Sequence, residues 1–114
     1  MDFNDLEDYL NDEYGSNLDD YDPDFGDMEA DIEVDGDEDY EDIYITITVD
    51  TSKYGEEWDD VYGTSAAEDW ISDIVQDVQD EYEDYDISGE VADEDGSTLA
   101  TFELTSSGVD ITWK

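Results

Sequence analysis

The apolar residues of this chain recur at the intervals of strands and helices, although 40 of its 114 residues are acidic. Met28–Val34 alternates strictly between apolar and acidic residues, which gives an extended strand one apolar and one acidic face. Ala67–Tyr82 instead spaces its apolar residues three and four apart, as on one face of a helix. Burying an unpaired carboxylate is costly, so such a chain folds only if its acids face solvent. The two periodicities provide that separation and predict a folded domain.

The order of these patterns predicts the fold class. Residues 1–27 are predicted to form a short helix and an acidic loop, residues 28–50 a hairpin, residues 64–82 the main helix and residues 85–114 a three-stranded meander. The order is α-β-β-α-β-β-β. It predicts a single α+β domain with a mostly antiparallel sheet and two helices packed on one face.

The ends of the two predicted helices carry capping signals. Asp2 is placed to cap the first helix, and Gly15 stands where a left-handed residue commonly ends one. Ser65 and Glu68 have the spacing of a capping box at the start of the main helix. The segment between the hairpin and that helix has no regular pattern and is interpreted as a long connection.

The residue types that are missing exclude several functions. The chain has no Cys, His or Arg, so it offers no thiol or histidine-based nucleophile, no ordinary zinc site and no disulfide. Lys53 and Lys114 are the only basic residues, which excludes a basic nucleic-acid-binding groove. No apolar run has the length of a membrane span and no signal-peptide pattern is present, which predicts a cytoplasmic protein.

Clustered carboxylates raise two chemical alternatives. Asp31, Glu33, Asp35, Gly36 and Asp42 match positions of a calcium-binding loop, but the motif needs flanking helices and this segment has the pattern of a strand. A catalytic carboxylate pair, as in glycoside hydrolysis, needs two acids in distinct environments, and nothing in the sequence distinguishes such a pair. We therefore expect no catalytic residue, no dedicated metal site and no cofactor.

The acids themselves form the candidate binding surface. Its members lie on the main helix, the first strand, the hairpin tip and the acidic loop: Asp69, Asp73, Asp77 and Asp80; Glu29, Asp31 and Glu33; Asp35, Asp37, Glu38 and Asp39; and Asp20, Asp22 and Asp24. Helical acids four residues apart are about 6 Å apart along the axis, close to the spacing of phosphates on a DNA strand. The formal net charge of −38 equals that of about 65 Å of duplex DNA. Interspersed Tyr and Trp residues are candidate anchors for a partner.

In size, acidity and abundance of Tyr, the chain resembles the DNA-mimic proteins of phages and mobile elements. These include anti-CRISPR and anti-restriction proteins and inhibitors of uracil-DNA glycosylase, and they share no single fold or motif. The resemblance implies a non-enzymatic inhibitor, in the host bacterial cytoplasm, that occupies the basic DNA cleft of a defence protein. A CRISPR effector nuclease is favoured, then a restriction enzyme, then a DNA-repair glycosylase.

Two other functions remain open at this point. Proteins of salt-accumulating halophiles are also rich in Asp and Glu and poor in Lys, and an acidic chaperone of a basic nucleic-acid-binding protein would use the same electric field. The chain is expected to be a monomer or a homodimer. In a dimer, Trp58 or Trp113 would supply the apolar contact that offsets repulsion between the subunits.

Overall fold

A computed structural model, which describes residues 2–16 and 18–114, confirms a single α+β domain with the predicted order of strands. Met1 and Asn17, which fall within the predicted N-terminal segment, lie outside the described residues. The helices and strands, in chain order, are α1 (Phe3–Tyr14), β1 (Ala30–Asp37), β2 (Asp42–Val49), α2 (Gly55–Val61), α3 (Ser65–Glu81), β3 (Asp86–Asp93), β4 (Thr98–Thr105) and β5 (Gly108–Trp113). Two short 3-10 turns, Leu18–Asp20 and Pro23–Phe25, lie in the acidic loop.

The five strands form one sheet in the order β1-β2-β3-β4-β5. Strands β1 and β2 are the predicted antiparallel hairpin, and β3, β4 and β5 are the predicted meander. Strands β2 and β3 are parallel, because the chain crosses from one to the other through α2 and α3. The prediction of a mostly antiparallel sheet is therefore confirmed, with one parallel pair at its centre.

The core lies between the sheet and the helices α1 and α3. Alternate residues of the first four strands face these helices and are buried, as the alternation of the sequence predicted. Trp70, Ile71, Ile74, Val75 and Val78 bury the apolar stripe of α3 against them. No polar or charged residue is buried in the described part of the chain, so the interior contains none of the acids.

Three local predictions around α2 and α3 need correction. Residues predicted as an irregular connection include α2, a short helix that buries Trp58 and Val61. The N-cap of α3 is Thr64 rather than Ser65, since the Thr64 hydroxyl accepts from the Ala67 amide at 3.3 Å. The Glu68 carboxylate, expected in a capping box, accepts from Trp113 Nε1 instead.

The ends of α1 illustrate a correct and an incorrect prediction. Asp2 does cap the helix, accepting from the Asp5 amide at 2.8 Å. Gly15 ends it in a right-handed conformation with φ −88°, not the left-handed one expected. Glycine is needed there for space, because a Cβ would lie 2.6 Å from the carbonyl oxygen of Asn11 and 2.8 Å from that of Ala30.

Helix α1 also runs along the outer edge of β1. The Asn11 side chain donates to the Ile32 carbonyl and accepts from the Ile32 amide, both at 2.8 Å. The Glu7 carboxylate accepts from the Val34 amide at 2.9 Å, and the Gly15 carbonyl accepts from the Ala30 amide at 2.8 Å. Among residues 2–16 and 18–114, no helix is both long enough and apolar enough to cross a membrane.

Candidate acidic interaction surfaces

The structure divides the predicted site residues between two sides of the sheet. The side covered by helices carries Asp69, Asp73, Asp77 and Asp80 on α3, and we call it the helical side. The opposite surface carries no helix, and we call it the open face. The fourteen predicted residues therefore do not form one continuous binding surface.

The open face displays ordered rows of side chains across the strands. One row contains a residue from each strand, in order Asp35, Tyr44, Ser88, Glu103 and Asp110. The next row contains Glu33, Thr46, Glu90, Thr101 and Thr112. Within these two rows, acids stand on β1, β4 and β5, and the residues between them carry hydroxyl groups except at Glu90.

The acids of β1 form a regular line on this face. Asp31, Glu33 and Asp35 are exposed, and alternate residues of a strand are about 6.8 Å apart. Their carboxylates make no hydrogen bond to another residue in the part of the chain that the structure describes. Glu103 on β4 lies three strand spacings away, about 14 Å, which is near the roughly 12 Å width of a DNA major groove.

A groove lies between the acids of β1 and Glu103 of β4. It encloses about 700 Å³ and is lined by Asp35, Asp42, Asp86 and Glu103 around Tyr44 and Ser88. A second depression of about 350 Å³ continues from it across Thr101 and Thr112. The Glu90 carboxylate accepts from the Thr98 hydroxyl at 2.8 Å. Burial and then the charge of Glu90 raise the pKa of Tyr44, so its hydroxyl stays protonated.

The hairpin tip adjoins the open face. Asp37 Oδ1 accepts from the Asp39 amide at 2.9 Å and from the Tyr40 amide at 3.3 Å, which folds the turn. Glu38 and Asp39 are exposed, and the Tyr40 side chain is 77% exposed. The tip thus presents an accessible aromatic ring among carboxylates, which is the arrangement expected of an anchor for a partner.

Acids of the helical side take part in internal hydrogen bonds. Asp77 Oδ2 accepts from the hydroxyl of Tyr14 at 2.5 Å and from that of Tyr9 at 3.3 Å. Asp73 Oδ2 accepts from the Tyr21 hydroxyl at 2.9 Å. Burial and then the hydrogen bond to Asp77 raise the pKa of Tyr14 above its ordinary value of 10. Burial and then the bond to Asp73 raise the pKa of Tyr21 in the same way.

The remaining predicted residues have separate places. Asp20 is exposed and lines a depression with Tyr14 and Tyr21 on the helical side. Asp22 is half-buried and caps its 3-10 turn by accepting from the amide of Asp24, which is itself exposed. Glu29 precedes β1, where it lines a shallow pocket with Lys53 and Glu94 among other residues. The structure does not bring these four acids together.

The calcium-loop template is not present as a loop. Asp31, Glu33 and Asp35 lie on the extended strand β1, so they form a line and do not surround a point. Within residues 2–16 and 18–114, no group of three or more acids is arranged to hold a metal ion.

Several residues of the open face were missed as site residues. Glu90, Glu103 and Asp110 belong to it, and Tyr44 and Ser88 line its groove. Strand alternation is the signal that could have found them, because it assigns every second residue of each strand to the outward side.

Aromatic residues divide between packing and exposure. Trp58 and Trp70 are buried, and Trp113 is half-buried with its ring 5.9 Å from that of Trp58. Trp58 therefore does not supply the exposed dimer contact considered from the sequence. Tyr40 and Tyr44 are the exposed aromatic residues of the hairpin and the open face.

Chemically, the open face offers carboxylates and neutral hydroxyl groups, which suit guanidinium and ammonium groups of a partner. The carboxylates are spread along strands and across the sheet, a distribution suited to an extended partner surface. Comparisons with known protein families, characterised proteins and solved structures returned no match to this chain.

Proposed function

We propose that this protein is a non-enzymatic mimic of double-stranded DNA, which binds the basic DNA cleft of a host defence protein and competes with DNA. Its contact surface is the open face together with the hairpin tip. The CRISPR effector nuclease is the favoured target and the restriction enzyme the next. The proposal places the protein in the bacterial cytoplasm, where these targets act.

The line of carboxylates on β1 is the observation that carries this proposal. Asp31, Glu33 and Asp35 face solvent at about phosphate-like intervals, across a groove from Glu103. Overall charge density supports it. A net charge of −38 over a longest dimension of 40 Å gives one charge per about 1 Å (40/38), against about 1.7 Å for duplex DNA.

The open face is preferred to the helical side because all three acids of its β1 line are available to a partner, whereas of the four predicted acids on α3 only Asp69 and Asp80 are. On α3, Asp73 and Asp77 already accept hydrogen bonds from tyrosine hydroxyls. A partner that engaged these two acids would have to displace bonds that attach the N-terminal segment to α3. Asp31, Glu33 and Asp35 carry no such structural role.

Binding would proceed in two steps. The negative field first attracts a basic cleft from a distance, which raises the association rate and makes it fall with added salt. The groove around Tyr44 and Ser88 and the exposed ring of Tyr40 then supply the contacts that fix orientation. Because the occupied cleft excludes the duplex, inhibition needs no chemical step.

The test is displacement of a labelled duplex from three purified targets: an RNA-guided nuclease, a restriction enzyme and a uracil-DNA glycosylase. The protein is titrated at several salt concentrations. We expect displacement from the nuclease or the restriction enzyme, with an apparent affinity that falls steeply with salt. If all three targets retain their DNA at low salt, the mimic proposal is wrong.

Two matched triple variants locate the contact surface. The first neutralises the β1 line with Asp31→Asn, Glu33→Gln and Asp35→Asn. The second makes the same three changes of residue type on exposed positions of α3, with Asp69→Asn, Asp80→Asn and Glu81→Gln. Each loses three negative charges, so any difference between them reflects position and not net charge.

The open-face triple should weaken binding by about 10- to 100-fold, at about 0.5–1 kcal/mol for each of three charge contacts. The α3 triple should weaken it by only a few-fold, through the smaller overall field. Equal losses in both, or a larger loss in the α3 triple, would contradict the assignment of the open face.

Salt dependence of stability separates this proposal from the halophile alternative. A mimic that works in bacterial cytoplasm is folded at 0.1 M NaCl and gains modestly from screening of its own charges. A halophile protein would unfold at that concentration.

An acidic chaperone would bind basic proteins regardless of whether they bind DNA, and DNA would not displace it from a protein without a DNA site.

A further inference from the structure

The two outer edges of the sheet differ. At the β1 edge, the backbone groups of Ala30, Ile32 and Val34 are bonded to α1 and to the residue that follows it. That edge is therefore closed to another strand. Strand β5 forms the opposite edge, and its only strand neighbour is β4.

The outward groups of β5 follow from its pairing with β4. The Lys114 amide donates to the Leu99 carbonyl at 3.0 Å, so Lys114 faces β4. Antiparallel pairing alternates, which directs the amide and carbonyl groups of Val109, Ile111 and Trp113 away from β4. In the described part of the chain these outward groups make no hydrogen bond to another residue.

The side chains of β5 also have two distinct faces. Val109, Ile111 and Trp113 point to the helix-facing side, where they are half-buried, whereas the corresponding residues of the first three strands are buried. Asp110 lies on the open face opposite Glu103 and is exposed. The free edge is thus apolar along one side and carries Asp110 and Thr112 on the other.

We propose that the β5 edge accepts an extended antiparallel segment of another protein, in which apolar residues alternate with Lys or Arg. Such strand addition gains affinity from backbone hydrogen bonds and specificity from alternate side chains. The apolar residues would cover Val109, Ile111 and Trp113, and the basic ones would face Asp110. This proposal does not rest on DNA mimicry, because it is argued from the free backbone edge of β5; of the residues it uses, Asp110 also belongs to the open face.

The register supports a basic residue opposite Asp110. The backbone amide and carbonyl groups of Asp110 point towards β4. Opposite a strand added on the outer side, Asp110 would therefore occupy a non-hydrogen-bonded position. Side chains of such pairs are close, with Cα atoms about 4.5 Å apart. An opposite charge there stabilises the pair, and a like charge destabilises it.

A second copy of the chain fits the edge less well. One antiparallel register would place Lys114 of one copy opposite Asp110 of the other. It would also bring together two chains that each carry a formal charge of −38, which opposes association. A basic segment, in contrast, is attracted electrostatically to the same edge.

The experiment uses a short synthetic peptide of alternating valine and lysine, in two N-methylated forms of equal charge and composition. In the proposed pairing, valine amides point to β5 and lysine amides point to solvent. Methylation of the valine amides should therefore weaken binding by at least about tenfold relative to methylation of the lysine amides, because several backbone bonds are lost.

Hydrogen exchange and a pair of protein variants complete the test. The peptide with free valine amides should slow amide exchange at Val109, Ile111 and Trp113 and leave that of the already bonded Ile32 unchanged. Ile111→Pro removes an outward amide without breaking a bond to β4, and it should bind the peptide about tenfold more weakly than Ile111→Ala.

Three results would overturn the proposal. Equal binding of the two methylated peptides would show attraction by charge alone. Unchanged amide exchange along β5 would place the peptide elsewhere. Sedimentation of the free protein as a dimer, with the β5 amides already protected, would make a second copy the occupant of this edge.

Discussion

The hydrogen bond between Tyr14 and Asp77 gives the sharpest test of how the N-terminal segment is held. Asp77 is half-buried, and its Oδ2 accepts from Tyr14 at 2.5 Å. The carbonyl of Tyr14 in turn accepts from Trp70 Nε1 at 3.0 Å. Asp77→Ala removes the acceptor and leaves the tyrosine hydroxyl without this partner, so we expect a loss of stability.

The magnitude follows from three contributions. A hydrogen bond to a charged group contributes about 1.5–3 kcal/mol, and partial exposure of Tyr14 favours the lower end. The second bond to Asp77, from Tyr9, is long and exposed and contributes little. Removal of one charge from a chain at −38 relieves repulsion by some tenths of a kcal/mol after screening. The net loss is about 1–2 kcal/mol.

Asp69→Ala is the matched control for this variant. Asp69 also lies within α3 and is exposed, so its replacement gives the same gain in helix propensity and the same change in net charge. Asp69→Ala should leave stability unchanged or slightly raised. The difference between the two variants isolates the hydrogen bond from the effects of charge and propensity.

The assay is equilibrium unfolding in urea at constant ionic strength. Guanidinium chloride is unsuitable because, as a salt, it would screen the repulsion that differs between variants. The midpoint should fall for Asp77→Ala with an unchanged slope. A double-mutant cycle with Tyr14→Phe should give a coupling energy of about 1.5 kcal/mol.

Two outcomes would refute this reasoning. The first is a coupling energy near zero between Tyr14 and Asp77. The second is equal stability of the Asp77→Ala and Asp69→Ala variants. Either would mean that the tyrosine bond adds nothing, and that the N-terminal segment is held by its other hydrogen bonds and by its buried apolar residues, Leu10, Leu18 and Phe25.

Three further predictions concern the fold. Because its pKa is raised, Tyr14 stabilises the folded state fully below about pH 10, the ordinary value, and loses this contribution as pH rises further; the phenolate absorbance of Tyr14, taken as the difference between the protein and its Tyr14→Phe variant, should therefore appear together with alkaline unfolding. Asn11→Ala should lower the free energy of unfolding by about 1–3 kcal/mol and speed amide exchange at Ile32, because two hydrogen bonds to its backbone are lost. Gly89→Ala should lower the free energy of unfolding by roughly 3 kcal/mol, because its Cβ would lie 2.1 Å from the carbonyl oxygen of Ile45 on β2. Gly55→Ala is the control, since its Cβ would meet nothing within 4 Å, and calorimetry should show it to be neutral or stabilising.

The periodic spacing of the apolar residues was sufficient to predict most of the fold. Alternation in Met28–Val34 identified β1 and its two faces, and the helical spacing of Trp70, Ile74 and Val78 identified the buried stripe of α3. These predictions held because acids occupy the outward positions of β1 and most of the exposed positions of α3. The pattern is therefore unusually clear for a chain of this composition.

Strand pairing and hydrogen bonds between side chains could not be predicted in the same way. The parallel pairing of β2 and β3 depends on the direction of the crossover, and α2 is too short for a periodic signal. The bonds from Tyr14 to Asp77 and from Tyr21 to Asp73 join residues more than 50 positions apart. No local spacing encodes such contacts, so the helical acids were predicted only as part of the binding surface.

Neutral donors explain how this chain tolerates its charge, and they also distinguish its two sides. With only two lysines, carboxylates are bonded instead by hydroxyl and indole groups: Tyr14 to Asp77, Tyr21 to Asp73, Trp113 to Glu68. Ser52 and Thr51 bind the Glu94 carboxylate and lower its pKa to about 2. A neutral donor holds a carboxylate without cancelling its charge, so the field outside is kept. On the β1 line of the open face, no such donor reaches a carboxylate from the residues that the structure describes, so an incoming cation there displaces only water.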